Sequence, residues 1–401
     1  MRILQINNCF PVFSTGKIVS LVHDALCTNG EESYVAYAWD NKHAADGKRV
    51  FRYGILLDKY ISAALTRITG THLGNAHLST AKLLRIIKKL HPDIVHIHCA
   101  NCYSCNHYRL FSWCRKNSIK MVVTEHAEYY YTGNCSFVYE CEKWMTGCGS
   151  CPNLAVGVKS RVFDLTARNW KRMYNAFSGW GNNLVITGVS PWITERSLKS
   201  PITNRCRHVC IENSVNTDLF QYIEKDNIPQ HIQELFDERT ILFIAPGYLS
   251  GVKGGNYLFA LARRMPSYKF VVVGVATPKD SPDNIHFVEH TTNQKELAMY
   301  YSCARITLLT SKRETFSLVT AESLSCGTPV VGFQSGGPET IALTEFSEFV
   351  ERGNLDALEA AVKKWLDQAV DKKWISEIAR KRYSAKRMTE QYINIYRELM
   401  R

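Results

Sequence analysis

The sequence predicts an α/β fold built from two successive units, each a parallel sheet covered by helices on both faces. Three observations predict it. Short, continuous apolar runs (RILQIN, DIVHIH, KMVVTEH, NLVITGVS) alternate with amphipathic stretches through the first half, the pattern of strands buried on both faces. The alternation starts afresh near Cys206, with TILFIAPG, KFVVVG, RITLLTS and TPVVGF as strands. The length of 401 residues is too great for one core of ordinary size, so two domains are expected.

The elements follow in order. RILQIN opens the chain as a strand. A loop containing Pro11 and Gly16 precedes a helix from about Lys17 to Cys27, Gly30 stops it, and SYVAYA is the next strand. Helices precede DIVHIH and KMVVTEH, one of them AKLLRIIKKL. In the second half GNYLFALARRM is a helix between strands, and the tail from Lys372 to Met400 reads as terminal helices. The expected domains are 1–206 and 207–381, both Rossmann-like, with 382–401 packing back on the first.

Composition narrows the function. Hydrophobic content of 45% and charged content of 21% are ordinary for a globular chain. No apolar run is long enough to span a bilayer. MRILQINNCF lacks the basic segment and apolar core of a signal peptide, so a cytoplasmic protein is expected. Residues 1–200 hold 24 Lys+Arg against 13 Asp+Glu, a net +11 of the +12 total. That asymmetry points to an anionic partner for the first half, or to a solvated surface. Lys82, Arg85 and Lys89 would face water or lipid headgroups, the second being the case for a protein held peripherally on the inner membrane face.

Ligands of open parallel sheets bind beyond the carboxyl ends of the strands. The residues there are Asn7, His98 and His126 in the first unit, and Gly247, Gly274 and Ser311–Glu314 in the second. No G-x-G-x-x-G follows either first strand, which argues against NAD or FAD. ETFSLVTAE follows RITLLT, with Glu314 in a loop and a helix expected from Phe316 or Ser317. Free amides at such a helix start can bind a phosphate. Glu322, one to two turns into the helix, could accept a ribose diol, and Glu314 the hydroxyls of a second sugar. Two sugars joined by a diphosphate make a nucleotide sugar. Taken alone, Glu314 could equally serve the helix dipole and Glu322 a half-exposed face.

The context resembles the family 4 retaining glycosyltransferases, which have the GT-B fold of two facing Rossmann-like domains with a C-terminal crossover helix. The resemblance rests on Glu314-x7-Glu322 followed by ESLSCGTPVVGFQSGGPE, and on GVKGGNYLFALA, IENSVNTDLF, PDIVHIH and VVTEH. STGKI and the segment Tyr129–Asn153 resemble a bacterial exopolysaccharide branch of the colanic-acid type. The resemblance implies that Glu314 contacts the donor sugar and Glu322 holds the ribose. It also implies that the amides near Phe316, Ser317 and Leu318 receive the diphosphate, that Lys253 neutralises the leaving phosphate, and that Gly16 lets backbone approach the donor. His126 matches the active-site histidine. The reaction implied is metal-independent, retaining transfer from a UDP- or GDP-sugar to a glycan or lipid-diphosphate-linked acceptor in surface polysaccharide synthesis. Two positions depart from the pattern: Gly247 stands where an arginine is usual, leaving Lys312 or Arg313 as alternative cations, and Ala127 stands where the branch has Asp.

Cys135, Cys141, Cys148 and Cys151 are spaced C-x5-C-x6-C-x2-C among turn residues, which suits a structural zinc, reduced packing thiols or a disulfide pair. Cys99, Cys102 and Cys105 are expected at one helix start, as packing residues. Three other functions fit parts of the sequence: a basic zinc-containing nucleic-acid binder, an epimerase-type nucleotide-sugar enzyme, and a catalytically silent binding subunit. The binder leaves the two glutamates idle, so no nucleic acid is expected.

Overall fold

A computed structural model describes residues 1–39, 49–245, 249, 251–289, 291 and 293–401. The chain divides into two compact units, Met1–Ile211 with Thr389–Arg401, and Glu212–Met388. The first holds strands β1 (Arg2–Asn7), β2 (Glu32–Tyr37), β3 (Val50–Arg52), β4 (Ile94–Cys99), β5 (Lys120–Glu125), β6 (Leu184–Gly188) and β7 (Arg207–Cys210). They form one sheet in the order β3-β2-β1-β4-β5-β6-β7, every pair parallel. The second unit holds β8 (Thr240–Ile244), β9 (Lys269–Val273), β10 (Ile285–Val288), β11 (Ile306–Leu309), β12 (Val330–Phe333) and β13 (Ser347–Val350). Their order is β10-β9-β8-β11-β12-β13, again all parallel. In both sheets the order reverses beside the first strand, and such a switch point opens a crevice at the strand C-termini.

The central strands are the continuous apolar runs, and their residues are almost wholly buried. Each sheet has its own core. Leu4, Val95, Met121 and Ile186 meet Leu83, Leu110 and Phe177 in the first, and Ile241, Val272, Leu308 and Val331 meet Leu258, Leu261, Val362 and Trp365 in the second. The last helix, Ala385–Met400, starts in the second unit and finishes in the first. It is anchored there by buried tyrosines: Tyr396 Oη lies 2.6 Å from His96 Nδ1, and Tyr392 Oη 3.2 Å from Thr124 Oγ1.

Two local expectations change. The first helix runs from Phe13 to Thr28, so Gly16 lies in its opening turn rather than in the loop before it. A Cβ at Gly16 would sit 3.0 Å from the Cys9 carbonyl oxygen. This glycine therefore serves close packing of the helix on the Cys9–Pro11 turn. Cys99, Cys102 and Cys105 are not on one helix: Cys99 ends β4, a turn follows, and the next helix starts at His107 behind an Asn106 cap.

Candidate active site

In the second unit the site is built around the end of β11. The chain leaves the strand at Thr310 and loops to Ser317, whose hydroxyl caps the helix Leu318–Ser325 by accepting the Thr320 N–H. The helix thus starts one to two residues later than expected. Ser317 stands at φ +81° outside it, and Phe316 is buried with its ring edge-on to Tyr383 at 6.4 Å. Residues that bond their own backbone favour caps over helix interiors, which is why Ser317 stops being helical. The amides at the helix start, Leu318 and Val319, precede the one taken by the cap and carry the partial positive charge of the helix end.

Backbone pairing fixes the Glu314 loop. Glu314 N–H donates to the Ser335 carbonyl at 3.1 Å and its carbonyl accepts from Gly337 N–H at 2.8 Å. Gly337 must lack a side chain, because a Cβ there would lie 2.4 Å from the Thr315 carbonyl. Glu339 accepts the Ser335 and Gly336 amides at 3.1 and 2.8 Å and holds the opposite wall.

A second loop meets the first. Lys312 N–H donates to the Val252 carbonyl at 2.6 Å, and the Thr310 hydroxyl donates to the carbonyls of Lys253 and Gly254, each at 3.0 Å. Gly254 takes φ +74° there, with Thr310 so close that a Cβ would lie 2.1 Å from its carbonyl oxygen. This crossing brings Lys253 Nζ to 2.6 Å from Glu314 Oε1, both side chains part-exposed. Glu322 is half-buried and accepts the Tyr301 hydroxyl at 3.1 Å, and burial, with the Glu322 charge second, lifts the Tyr301 phenol well above its usual range. The structure therefore pairs Lys253 with Glu314, in the loop that leads into the helix carrying Glu322. Gly247 lies outside the described residues.

In the first unit His126 follows β5. Its Nε2 lies 3.5 Å from His98 Nδ1, and the two rings stack at 5.7 Å. Burial lowers its pKa to about 4, so the ring is neutral at ordinary pH. His98 is buried against Gln5, 3.1 Å away, and its ring lies tilted by 35° against His96 at 3.8 Å. A row of neutral imidazoles thus reaches from the sheet interior to its C-terminal edge.

Sequence reasoning missed two buried acids beneath this edge. Glu125 is fully buried, and desolvation holds its carboxyl protonated, with Ser197 as partner at 3.0 Å. Glu128 accepts from the Tyr131 hydroxyl at 2.6 Å, Arg196 at 3.2 Å and the Val138 amide at 2.8 Å. That network ties the cysteine loop to the sheet. Glu125, at the end of KMVVTE, was the available signal, since a carboxylate inside a buried strand demands a partner.

The four loop cysteines line one small cavity of about 20 Å3 together with Trp144 and Val138. All 14 cysteines are free thiols, so the disulfide alternative is not formed. Burial and the charges of the other thiols raise Cys135, and Cys148 is pushed up to about 12, burial again first. As placed, the described side chains form no group of three or more ligand-type residues that could hold a metal ion. A tetrathiolate would need the four sulfurs to close further around the cavity.

Residues 226–382 match the family described as glycosyl transferases group 1. Over 329 residues the chain is 23% identical to an Escherichia coli K12 protein that bears the provisional name colanic acid biosynthesis glycosyl transferase WcaC, covering 77% of each. A shorter stretch of 116 residues, 25% of this chain and 26% of the relative, is 29% identical to a Mycobacteroides abscessus D-inositol 3-phosphate glycosyltransferase. Among solved structures, the sucrose-phosphate synthase of Thermosynechococcus elongatus superposes with a TM-score of 0.68 at 16% identity, over 100% of this chain and 99% of that one. Anabaena HepE in complex with UDP gives 0.66 at 14% identity, over 99% and 100%. WaaG, described as a lipopolysaccharide-biosynthesis glycosyltransferase, gives 0.63 at 14%, over 98% and 99%. The fold is that of the GT-B glycosyltransferases. The family match lies within the second unit.

Proposed function

We propose that the chain transfers a sugar, with retention at the anomeric carbon, from a nucleoside diphosphate sugar held by the second unit to a glycan or lipid-diphosphate-linked acceptor in bacterial surface polysaccharide synthesis. The observation that carries the reading is the Lys253–Glu314 pair at 2.6 Å, set beside the start of the helix that contains Glu322. Glycosyl transfer passes through an oxocarbenium-like state, and its main demand is stabilisation of the departing diphosphate. Lys253 and the Leu318 and Val319 amides meet that demand, Glu322 accepts the ribose hydroxyls, and Glu314 both orients Lys253 and accepts hydroxyls of the transferred sugar. His126 stays neutral, which suits a hydrogen bond to a sugar hydroxyl rather than a charge-bearing role. The named relatives support the choice of donor and pathway: a colanic acid transferase, and a structure with UDP bound.

The first test is a thermal-shift screen of nucleotide sugars, followed by transfer to a polyprenyl-diphosphate sugar and assignment of the product anomer by NMR. Retained configuration with one nucleotide sugar is expected. Inversion would overturn the retaining reading, and stabilisation by no nucleotide sugar would overturn the donor reading.

The cysteine loop is part of the same proposal in a structural role. Four thiols on one cavity, tethered by Glu128, would hold a zinc ion that stiffens the loop, with no open position for chemistry.

A further inference from the structure

The helix Leu56–Thr69 is attached to the first unit the wrong way round. Its inward positions are Asp58, Ser62 and Thr66, all buried. Asp58 accepts the Ser79 amide at 2.7 Å, and the Thr66 hydroxyl donates to the Ser62 carbonyl at 2.8 Å while Asn75 reaches it at 3.3 Å. Asp58 and Thr66, at i and i+8, thus make tertiary hydrogen bonds, and Ser62 at i+4 is buried between them. The opposite side carries Leu56, Leu57, Tyr60, Ile61, Leu65 and Ile68, between 39% and 68% exposed. A helix of a water-soluble surface shows the reverse pattern.

The patch extends beyond the helix. Arg161 and Phe163 amides donate to the Arg67 and Ile68 carbonyls at 2.7 and 2.9 Å, which lays the exposed Val162 and Phe163 along the helix end. The six helix side chains alone expose on the order of 500 Å2 of apolar surface, near the upper end of the largest patch a monomer usually shows. Cations flank it: Arg67, Lys159 and Arg161 are exposed, and Lys59 lies over the Trp39 ring at 4.7 Å. The one acid within Leu56–Thr69 is the buried Asp58, and Asp164, beyond Phe163, is occupied by Thr166 and the Cys151 amide.

We infer that this face docks on the surface of an anionic phospholipid bilayer, with the leucine and isoleucine side chains entering the headgroup–acyl boundary and the arginines and lysines meeting lipid phosphates. Charge complementarity selects this occupant: an apolar band with a cationic edge, on a unit whose sequence carries nearly all the chain's net charge, matches a negatively charged interface. The helix is about 21 Å long at 1.5 Å per residue, and lies along a membrane rather than across it. The surface differs from the one the sequence suggested. Lys82, Arg85 and Lys89 are on an ordinary amphipathic helix, His77–Leu90, whose Leu83, Leu84 and Ile87 are buried in the core. The inference deepens the acceptor side of the proposed function and rests on it for the presence of a lipid substrate.

The test is co-sedimentation of the full chain with phosphatidylglycerol-containing vesicles and with pure phosphatidylcholine vesicles, for the native protein, Leu57→Gln/Ile61→Gln and Arg67→Glu/Arg161→Glu. Binding to the anionic vesicles is expected to fall at least tenfold in each double variant, and the native protein should bind phosphatidylcholine far more weakly. Nucleotide-sugar binding, followed in parallel, should be unchanged, so a failed donor reading and a failed membrane reading give different results. A native protein that stays unbound, or variants that bind as well as it does, would overturn the inference. So would a native dimer in light scattering that the Gln variant splits, because a second copy would then cover the face.

Discussion

Lowering the pH from 8 to 5 should weaken the first unit far more than the second. Burial lowers His72 to about 3 and His107 and His126 each to about 4. The Lys159 charge lowers His72 further, whereas backbone contacts from Cys105 and Leu73 work against the burial of His107. All three are neutral in the folded state, whereas in the unfolded chain they protonate near 6.5. Below pH 6.5 the unfolded state therefore binds the extra protons. Stability is whole above that pH and is lost as pH falls toward about 4. At pH 5 each site removes about 2 kcal/mol and the three together about 6, against a total of roughly 5–15. Glu125 works in the opposite sense, because its raised pKa keeps a proton in the fold that the unfolded chain releases above its ordinary value, and it returns part of that loss. Urea unfolding at pH 8, 6.5 and 5 should show the first unit's midpoint falling steeply, and His107→Phe should cut the pH-dependent loss by about 2 kcal/mol whatever its effect at pH 8. Equal midpoints at pH 8 and 5, or an unchanged slope in the variant, would refute the reasoning.

Three further outcomes concern the site and the loop. Lys253→Ala and Glu322→Ala should each lower transfer by on the order of 100-fold or more, with Glu322→Ala also weakening nucleoside diphosphate binding in titration calorimetry; near-native rates in both would remove the site. Gly254→Ala forces a left-handed backbone on alanine and a clash with the Thr310 carbonyl, so it should cost the second unit roughly 2–4 kcal/mol in urea unfolding and reduce transfer along with it. Metal analysis of reduced protein should find one zinc per chain, lost in Cys148→Ser/Cys151→Ser, and a zinc-free native protein would leave the cysteines as packing thiols.

The sheets were legible in the sequence at their centres and not at their edges. RILQIN, DIVHIH and RITLLTS are strands whose neighbours bury both faces, so Ile, Leu and Val recur on both faces and mark them as strands. The edge strands β3, β7, β10 and β13 are mostly half-buried, and VFR, RHVC, IHFV and SEFV are only three or four residues long, too short for a pattern to stand out. The glutamate pair and Lys253 could be read because each follows a strand end. What the sequence could not supply was their joining: the 2.6 Å contact depends on Gly254 crossing under Thr310, 56 residues apart along the chain. Gly16 was misplaced because glycine marks loops as readily as close helix packing. The reversed helix Leu56–Thr69 was unreadable for a different reason, since periodicity gives the apolar face and does not say whether that face meets a core.

The central claim is that a nucleoside diphosphate sits on the helix start at Leu318 between Lys253 and Glu322. Crystals grown with UDP or a stabilising nucleotide sugar test it most directly. The account predicts phosphate oxygens within hydrogen-bond distance of the Leu318 or Val319 amide and of Lys253, with the ribose hydroxyls on Glu322. A nucleotide bound elsewhere, with the Lys253–Glu314 contact undisturbed, would contradict it.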